Sequence, residues 1–293
     1  MLKRQLMKAG FFGIGLFILV AVHGMNSPAL IESTRTRAEV NPALSHLQAF
    51  DSSFIFLNEL PDSILAALPK INLNAQASQF LKAYVKKNNE DLAKIQGRSK
   101  FSFSVIDSIF SSYRLPIELK YLAVVESELK TTALSRVGAA GMWQLMPATA
   151  REYSLKVSGK YDERRNLYKS TKAAAKYLKD LYAQYGDWLL VIAAYNSGSG
   201  YVDRAIKYAG SRNFWRIQNY LPGETRGHVK RFIATHYFFE SHGSITTVTK
   251  TEAAAYKKVV AEFITKQKMI AATDIAKNDN SSASDAQITA QEK

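Results

Sequence analysis

Residues 116–130 read PIELKYLAVVESELK, and the spacing of their apolar side chains predicts a helix. Leu119, Leu122 and Ala123 fall at positions i, i+3 and i+4 of one apolar stripe. Position i+7 of the same stripe is Glu126. A carboxyl group among apolar neighbours is partly desolvated, which favours its protonated form and suits it to donate a proton. The helix therefore offers one candidate general acid, although a surface glutamate near a helix end would fit the same pattern.

Helical patterns dominate the rest of the chain as well, and no set of alternating strands stands out. The segment 188–196 is apolar nearly all round, which predicts a buried helix, and Asp187 can cap its first turn. A last core helix is expected over about 225–240. The sequence therefore predicts a mainly α fold.

The overall composition excludes several kinds of protein chemistry. The chain has 293 residues, of which 47% are hydrophobic, and this is enough for a sizeable core. It contains no cysteine, which excludes disulfides, thiolate metal sites, cysteine nucleophiles and lipid attachment to cysteine. The net charge of +14 indicates affinity for a polyanion, which could be nucleic acid, an anionic membrane or a carboxylate-bearing cell-wall polymer.

The first 24 residues have the layout of a secretory signal. Lys3, Arg4 and Lys8 precede an apolar run over 9–22, and polar sequence follows. The run is shorter than the roughly 20 residues that span a bilayer, which favours a cleaved signal over a permanent anchor. We therefore expect an exported protein of the periplasm or cell envelope, not a lipoprotein, with membrane attachment through residues 1–24 as the alternative. Outside the cytoplasm, nucleic acid is not expected as a partner.

Three segments in a fixed order carry a family pattern. They are ES at 126–127, ALSRVGAAGMWQLMP at 133–147 and AAYNSG at 193–198. In this order they resemble the main motifs of the lytic transglycosylases with a goose-lysozyme-like catalytic domain of the soluble lytic transglycosylase type. LP at 115–116 is similar to the membrane-bound lytic murein transglycosylase D subgroup. The resemblance extends over residues 98–244, about half of the chain.

The resemblance implies a lysozyme-like helical catalytic domain over 98–244 whose substrate is the glycan strand of peptidoglycan. Residues 25–97 would form a helical N-terminal extension. Residues 245–293 are expected to form an amphipathic helix and then a polar tail, which the composition from Asn278 onward predicts to be disordered.

The resemblance also implies a sugar-binding groove. Ser135 matches the hydroxyl that family members place beside the N-acetyl group of N-acetylmuramic acid (MurNAc). Gln144 and Met146 match residues of the groove itself, and Tyr195 and Asn196 match the pair that ends the buried helix beside the catalytic carboxylate. Taken singly, Ser135 would be a turn residue, Gln144 a solvated side chain and Met146 part of the core. Their joint order favours the functional interpretation.

Glu126 is the carboxylate that occupies a motif position, whereas glycosidases usually work with two carboxylates. The other acidic side chains near the motifs are more simply solvated or helix-capping charges; these are Glu118, Glu128, Asp162 and Glu163. The resemblance implies that the N-acetyl group of MurNAc replaces the second carboxylate. Glu126 would first donate a proton to the oxygen of the glycosidic bond to N-acetylglucosamine (GlcNAc). As a base it would then deprotonate the MurNAc C6 hydroxyl, which leaves a 1,6-anhydro end.

One motif departs from the family pattern. It usually reads Glu-Thr-Arg, any residue, Tyr-Val, whereas residues 224–229 read ETRGHV. His228 thus stands where tyrosine is common, and we expect it to bind substrate by a hydrogen bond or by stacking on a sugar. A surface histidine at the start of a helix is an equally good interpretation.

Two other functions are compatible with these residues. A muramidase of the same fold would hydrolyse the same bond with water, and a non-catalytic scaffold would bind peptidoglycan without turnover. The presence of Glu126 argues against the scaffold. No cofactor or metal is implied, because none of the five histidines pairs with carboxylates at the spacing of metal ligands.

Overall fold

The computed structural model describes residues 67–291, with side chains as far as residue 270 and at residue 273. Within this range the chain forms helices and isolated bridges but no sheet, which confirms the predicted mainly α class. None of the described helices is both long enough and apolar enough to cross a membrane. The predicted signal or anchor over 1–24 and most of the predicted N-terminal extension lie outside the described residues.

Most helices follow one another closely, but longer segments precede the fourth and the fifth of them. In chain order they are α1 (Ala75–Arg98), α2 (Lys100–Ser112), α3 (Lys120–Ser127), α4 (Pro147–Glu152), α5 (Leu167–Tyr185), α6 (Trp188–Ser197), α7 (Ser199–Ala209), α8 (Phe214–Ile217), α9 (Gly223–Glu240) and α10 (Lys250–Gln291). Short 3-10 helices cover Ile117–Leu119, Glu163–Arg165 and Gln218–Tyr220.

Helix α6 forms the centre of the core, as its apolar sequence predicts. Its residues from Trp188 to Ala194 are all buried, and it packs against α5, α7 and α9. Asp187 caps its first turn, because the carboxylate accepts hydrogen bonds from the backbone N–H groups of Leu189 and Leu190 at 2.9 and 3.3 Å. The second oxygen of Asp187 accepts from the backbone N–H of Lys250 at 2.6 Å. The same side chain therefore fixes the starts of α6 and α10.

Helix α9 connects the parts of the fold that hold the candidate site. It covers Gly223–Glu240, close to the predicted range, and packs against α1, α3 and α6. The hydroxyl of Tyr237 donates to the carbonyl of Ile71 at 3.0 Å. The described part of the predicted N-terminal extension therefore packs directly on α9.

The helix expected over residues 116–130 is shorter than its pattern suggests. A 3-10 turn precedes α3, and the α-helix ends at Ser127. Glu128 and Leu129 follow in the left-handed region, with φ of 55° and 65°. Leu129 is buried, and its N–H reaches back to the carbonyl of Ala123 at 3.3 Å. This buried leucine stabilises the turn that ends the helix, a tertiary effect that helical spacing does not encode.

The C-terminal region contains the last helix of the described chain. Helix α10 runs from Lys250 to Gln291, and the disorder expected from Asn278 onward stays a prediction. Residues 244–293 contain neither glycine nor proline, so no residue in this segment breaks a helix.

Candidate active site

Glu126 lies one residue before the end of α3 and contacts the first turns of α9. Its Oε1 is 2.9 Å from Nε2 of His228. The side chain of His228 is 3% exposed and that of Glu126 is 13% exposed. The hydrogen bond therefore joins two residues that are far apart in sequence and largely removed from solvent. His228 lies beneath Glu126, not in a position open to a sugar.

The two oxygens of Glu126 have different surroundings. Oε1 is hydrogen-bonded to His228. Oε2 has no hydrogen-bond partner among residues 67–291, and it is not one of the buried polar atoms there that lack a partner. Oε2 is therefore the oxygen that remains accessible. An accessible carboxyl oxygen backed by a fixed one is suited to exchange a proton with a bound molecule.

Tyr195 connects α6 to the segment that carries the longest motif. Its hydroxyl donates to the backbone carbonyl of Trp143 at 2.7 Å. Burial raises the pKa of Tyr195 well above its ordinary value, and the negative charge of Glu126 raises it further. Because its pKa is so high, the phenol keeps its proton and acts as a hydrogen-bond donor.

Asn196 is fixed against the start of α9. The hydroxyl of Thr225 donates to Asn196 Oδ1 at 2.9 Å, and Thr225 lies three residues before His228 on the same helix. This contact occupies the amide oxygen and leaves the amide nitrogen of Asn196 as a donor. The end of α6 and the start of α9 are thereby held in one arrangement.

Residues 133–146 form a tightly folded loop after α3. Ser135 closes one turn of this loop, because its Oγ accepts from the N–H of Ala139 at 2.9 Å and its own N–H donates to the Ala139 carbonyl at 2.8 Å. Isolated bridges join Leu134 to Ala140 and Ala140 to Leu145. No hydrogen bond joins Ser135 to Glu126 in the described part of the chain. The sugar contact expected of Ser135 stays a prediction.

Gly141 and Gln144 set the shape of the second half of this loop. Gly141 has a φ of 80°, and a Cβ there would lie 1.8 Å from the carbonyl oxygen of Arg164, so no other residue fits. Gln144 has a φ of 46°, and its side-chain N–H donates to the Gly141 carbonyl at 2.8 Å. Met146 follows and is 42% exposed. The groove roles of Gln144 and Met146 also stay predictions.

Ser127 ties the loop to the helix that carries the candidate acid. It is buried, and its Oγ donates to the backbone carbonyl of Met142 at 2.7 Å. Together with the bond from Tyr195 to the Trp143 carbonyl, this contact attaches the loop to both α3 and α6.

Arg164 supports the loop and was not expected from the sequence. It is 5% exposed, and its Nη1 donates to the backbone carbonyls of Gly138 and Leu145 at 2.7 and 2.9 Å. Asp162 binds the same guanidinium through Nε and Nη2, both at 2.8 Å, and hydrogen bonding to Arg164 holds the pKa of Asp162 below its usual range. Asp162 also accepts from the N–H of Arg164, so it is the capping charge that the sequence suggests and a structural partner as well.

Comparisons with known proteins locate a recognised domain around these residues. Residues 111–218 match the model of the Transglycosylase SLT domain. The chain is 43% identical over 125 residues to the membrane-bound lytic murein transglycosylase D of Escherichia coli strain K12, which is 41% of this chain and 27% of that protein. A putative tributyltin chloride resistance protein of Alteromonas sp. strain M-1 is 42% identical over 93 residues, 31% of this chain and 45% of the relative.

Among solved structures, the 70-kDa soluble lytic transglycosylase of Escherichia coli has a TM-score of 0.46 at 22% identity. The match covers 60% of this chain and 32% of that one. The chain spans less than half the length of the curated relatives that it matches.

The matched segment contains most of the candidate site. Glu126, the loop 133–146 and the pair Tyr195 and Asn196 lie within residues 111–218, whereas His228 lies beyond them. The resemblance that the motifs indicate is therefore confirmed for this segment, which matches the Transglycosylase SLT domain and is similar to a lytic murein transglycosylase.

Proposed function

We propose that this protein is a peptidoglycan lytic transglycosylase that cleaves the β-1,4 bond between MurNAc and GlcNAc and leaves 1,6-anhydro-MurNAc ends. The observation that carries the proposal is the placement of Glu126. Within an SLT domain, its Oε1 is held at 2.9 Å by a buried histidine and its Oε2 stays accessible. A relative of 43% identity is named a lytic murein transglycosylase, which supports the same substrate class.

The proposed reaction uses one carboxyl group twice. Protonated Glu126 first donates its proton to the glycosidic oxygen, and the bond from that oxygen to C1 of MurNAc breaks, which releases the GlcNAc O4 hydroxyl. The N-acetyl group of MurNAc stabilises the positive charge that develops at C1. The Glu126 carboxylate then accepts the proton of the MurNAc C6 hydroxyl as O6 bonds to C1. The enzyme regains its proton, and no water is consumed.

The side chains near Glu126 support this chemistry without adding a charge. Tyr195 keeps its phenolic proton because burial and the charge of Glu126 raise its pKa, so it places no second negative charge beside the carboxylate. The amide N–H groups of Asn196 have no acceptor among residues 67–291 and are available for a sugar oxygen. We assign groove contacts to Ser135, Gln144 and Met146 because they lie on the loop that Ser127 and Tyr195 attach to α3 and α6.

The overall charge fits an anionic cell-wall polymer as partner. A net charge of +14 favours association with glycan strands whose peptide stems carry carboxylates. We place the protein in the cell envelope, because a relative of 43% identity is named membrane-bound and the first 24 residues have the pattern of a secretory signal. We also keep the division into an extension over 25–97, a catalytic domain over 98–244 and a C-terminal region over 245–293 as part of this proposal.

Product analysis of digested cell walls tests the proposal. Purified peptidoglycan sacculi incubated with the protein should release muropeptides with 1,6-anhydro-MurNAc ends, detected by mass spectrometry, and Glu126→Gln should release none. Muropeptides with reducing MurNAc ends would instead show a muramidase. Binding to sacculi without any released product would show a scaffold.

A further inference from the structure

We propose that His228 is a positioning residue that binds Oε1 of Glu126 as a permanent hydrogen-bond donor, so that both proton transfers of the reaction pass through Oε2. The inference rests on the proposed function and concerns how the same site is set up. It assigns His228 a role that differs from the sugar contact expected from its motif position.

The contact is built into the core of the protein. His228 Nε2 lies 2.9 Å from Glu126 Oε1, and the imidazole is 3% exposed. A ring buried to this degree cannot stack on a bound sugar. Its interaction with substrate must therefore pass through Glu126.

The other ring nitrogen determines which tautomer is present. Nδ1 of His228 is buried and has no hydrogen-bond partner among the described residues. A proton on Nδ1 would be a buried donor without an acceptor, and it would leave the lone pair of Nε2 facing the carboxylate of Glu126. A proton on Nε2 avoids both costs and forms a charge-assisted hydrogen bond to Oε1. A proton on Nε2 is therefore favoured over one on Nδ1.

The same tautomer serves both halves of the reaction. When Glu126 is a carboxylate, Nε2–H donates to Oε1, and Oε2 is the oxygen free to accept the proton of the C6 hydroxyl. When Glu126 is protonated, a proton on Oε2 leaves Oε1 as the carbonyl oxygen, which still accepts from Nε2–H. The proton on Nε2 stays in place in both states, so the carboxyl group keeps one orientation throughout the cycle.

Substitutions at position 228 separate hydrogen bonding from packing. We compare His228→Phe, which keeps a ring but no donor, with His228→Gln and His228→Tyr, which each keep a donor. His228→Phe should lower kcat by at least about tenfold with KM within about twofold, since a hydrogen bond to a charged group is lost. His228→Gln and His228→Tyr should restore most of the kcat that His228→Phe loses.

His236 provides a matched control on the same helix. It is also buried and its Nδ1 also lacks a partner among the described residues, but its Nε2 contacts Ser244 Oγ at 3.1 Å. His236→Phe should lower the melting temperature about as much as His228→Phe while leaving kcat unchanged. Equal losses of kcat in the two Phe variants would mean that burial, not the contact with Glu126, carries the effect, and would overturn the inference.

Nitrogen NMR of the imidazole rings gives a test that needs no activity. The wild-type spectrum should show His228 protonated at Nε2 and not at Nδ1, with the signals assigned by their disappearance in His228→Gln. A proton on Nδ1 would overturn the inference. A wild-type protein that releases no anhydro-muropeptides would overturn the proposed function and the inference with it, whereas an active wild type with unchanged His228→Phe kinetics would overturn the inference alone.

Discussion

Helices α3 and α9 bring a glutamate into hydrogen-bonding contact at both ends of their interface. At one end, Glu126 of α3 meets His228 near the start of α9. At the other end, the hydroxyl of Tyr121, near the start of α3, donates to Glu240 at the end of α9. The two ends thus use the same pair of helices and similar chemistry. They differ in the groups that surround each glutamate.

At the Tyr121 end the neighbouring side chains contact one another. Burial raises the pKa of Tyr121, and its hydrogen bond to Glu240 raises it further, so the phenol remains a donor. Lys120 pairs with Asp107 at 3.2 Å and lies over the rings of Phe103 and Tyr121. Glu126 instead lies near Tyr195, whose pKa its charge raises, and within the segment that matches the SLT domain, whereas Glu240 lies beyond that segment. Each glutamate has one carboxyl oxygen without a partner among the described residues, so its motif neighbours, and not spare hydrogen-bonding capacity, set the candidate reactive carboxylate apart from the structural one.

The largest expected effect separates the two glutamates directly. Glu126→Gln removes the proton that the reaction transfers, and we expect kcat to fall about 10³-fold, in the range of general acid catalysis. Glu240→Gln makes the same chemical change at the other end and should leave kcat within about twofold while lowering the free energy of unfolding by about 1 kcal/mol. Kinetics on solubilised peptidoglycan fragments and urea denaturation measure the two quantities. A Glu240→Gln enzyme as inactive as Glu126→Gln would break the comparison.

The sequence identified both residues of the contact at the Glu126 end but not the contact itself. The apolar stripe of α3 and the order of the motifs identified Glu126, and the departure from the family pattern singled out His228. Their hydrogen bond depends on how α3 crosses α9, and helical spacing within either segment contains no such information. His228 was therefore expected to meet a sugar, whereas the structure buries it against Glu126.

Arg164 shows a second limit of sequence reasoning. Two of its partners are backbone carbonyls, of Gly138 and Leu145, and no pattern of side chains reveals which carbonyls a loop will turn inward. Local signals were more reliable. Asp187 before an apolar run predicted a helix cap, and the structure confirms it. The fold class and the local start of α6 could thus be predicted, while the contacts between distant segments could not.

The next largest effect concerns the loop beside Glu126. Arg164→Met leaves Asp162 and two carbonyls without their donor, and we expect the free energy of unfolding to fall by about 3 kcal/mol, as for other broken buried ion pairs. Substrate binding should weaken as well, because the loop carries Gln144 and Met146. Arg164→Lys keeps the charge but lacks the fork of donors, so it should recover only part of either loss. Denaturation and KM measurements check this, and full recovery by lysine would show that charge alone supports the loop.

A smaller effect is expected from pH at the Tyr121 end. Burial, together with the nearby charges of His242 and Lys120, lowers the pKa of His236 from 6.5 to about 3. The unfolded chain binds a proton at this residue near pH 6.5 and the folded protein does not, so stability falls as the pH falls below 6.5. Between pH 7 and pH 5 this residue should cost about 2 kcal/mol of unfolding free energy. Urea denaturation at the two pH values should show a smaller decrease for His236→Gln than for the wild type; an equal decrease would assign the pH dependence to other groups.

The smallest effect tests whether the two ends act independently. Tyr121→Phe removes the hydroxyl that donates to Glu240 and should lower the free energy of unfolding by about 1 kcal/mol, since Glu240 is partly exposed and water can replace the lost donor. The value of kcat should stay unchanged, because no contact of Tyr121 involves Glu126 in the described residues. Combining Tyr121→Phe with His228→Phe extends the test. The two losses of stability should add, and kcat should equal that of His228→Phe alone. A further drop in kcat would mean that the Tyr121 end helps to set the position of α3 and, through it, the orientation of the Glu126 carboxyl group.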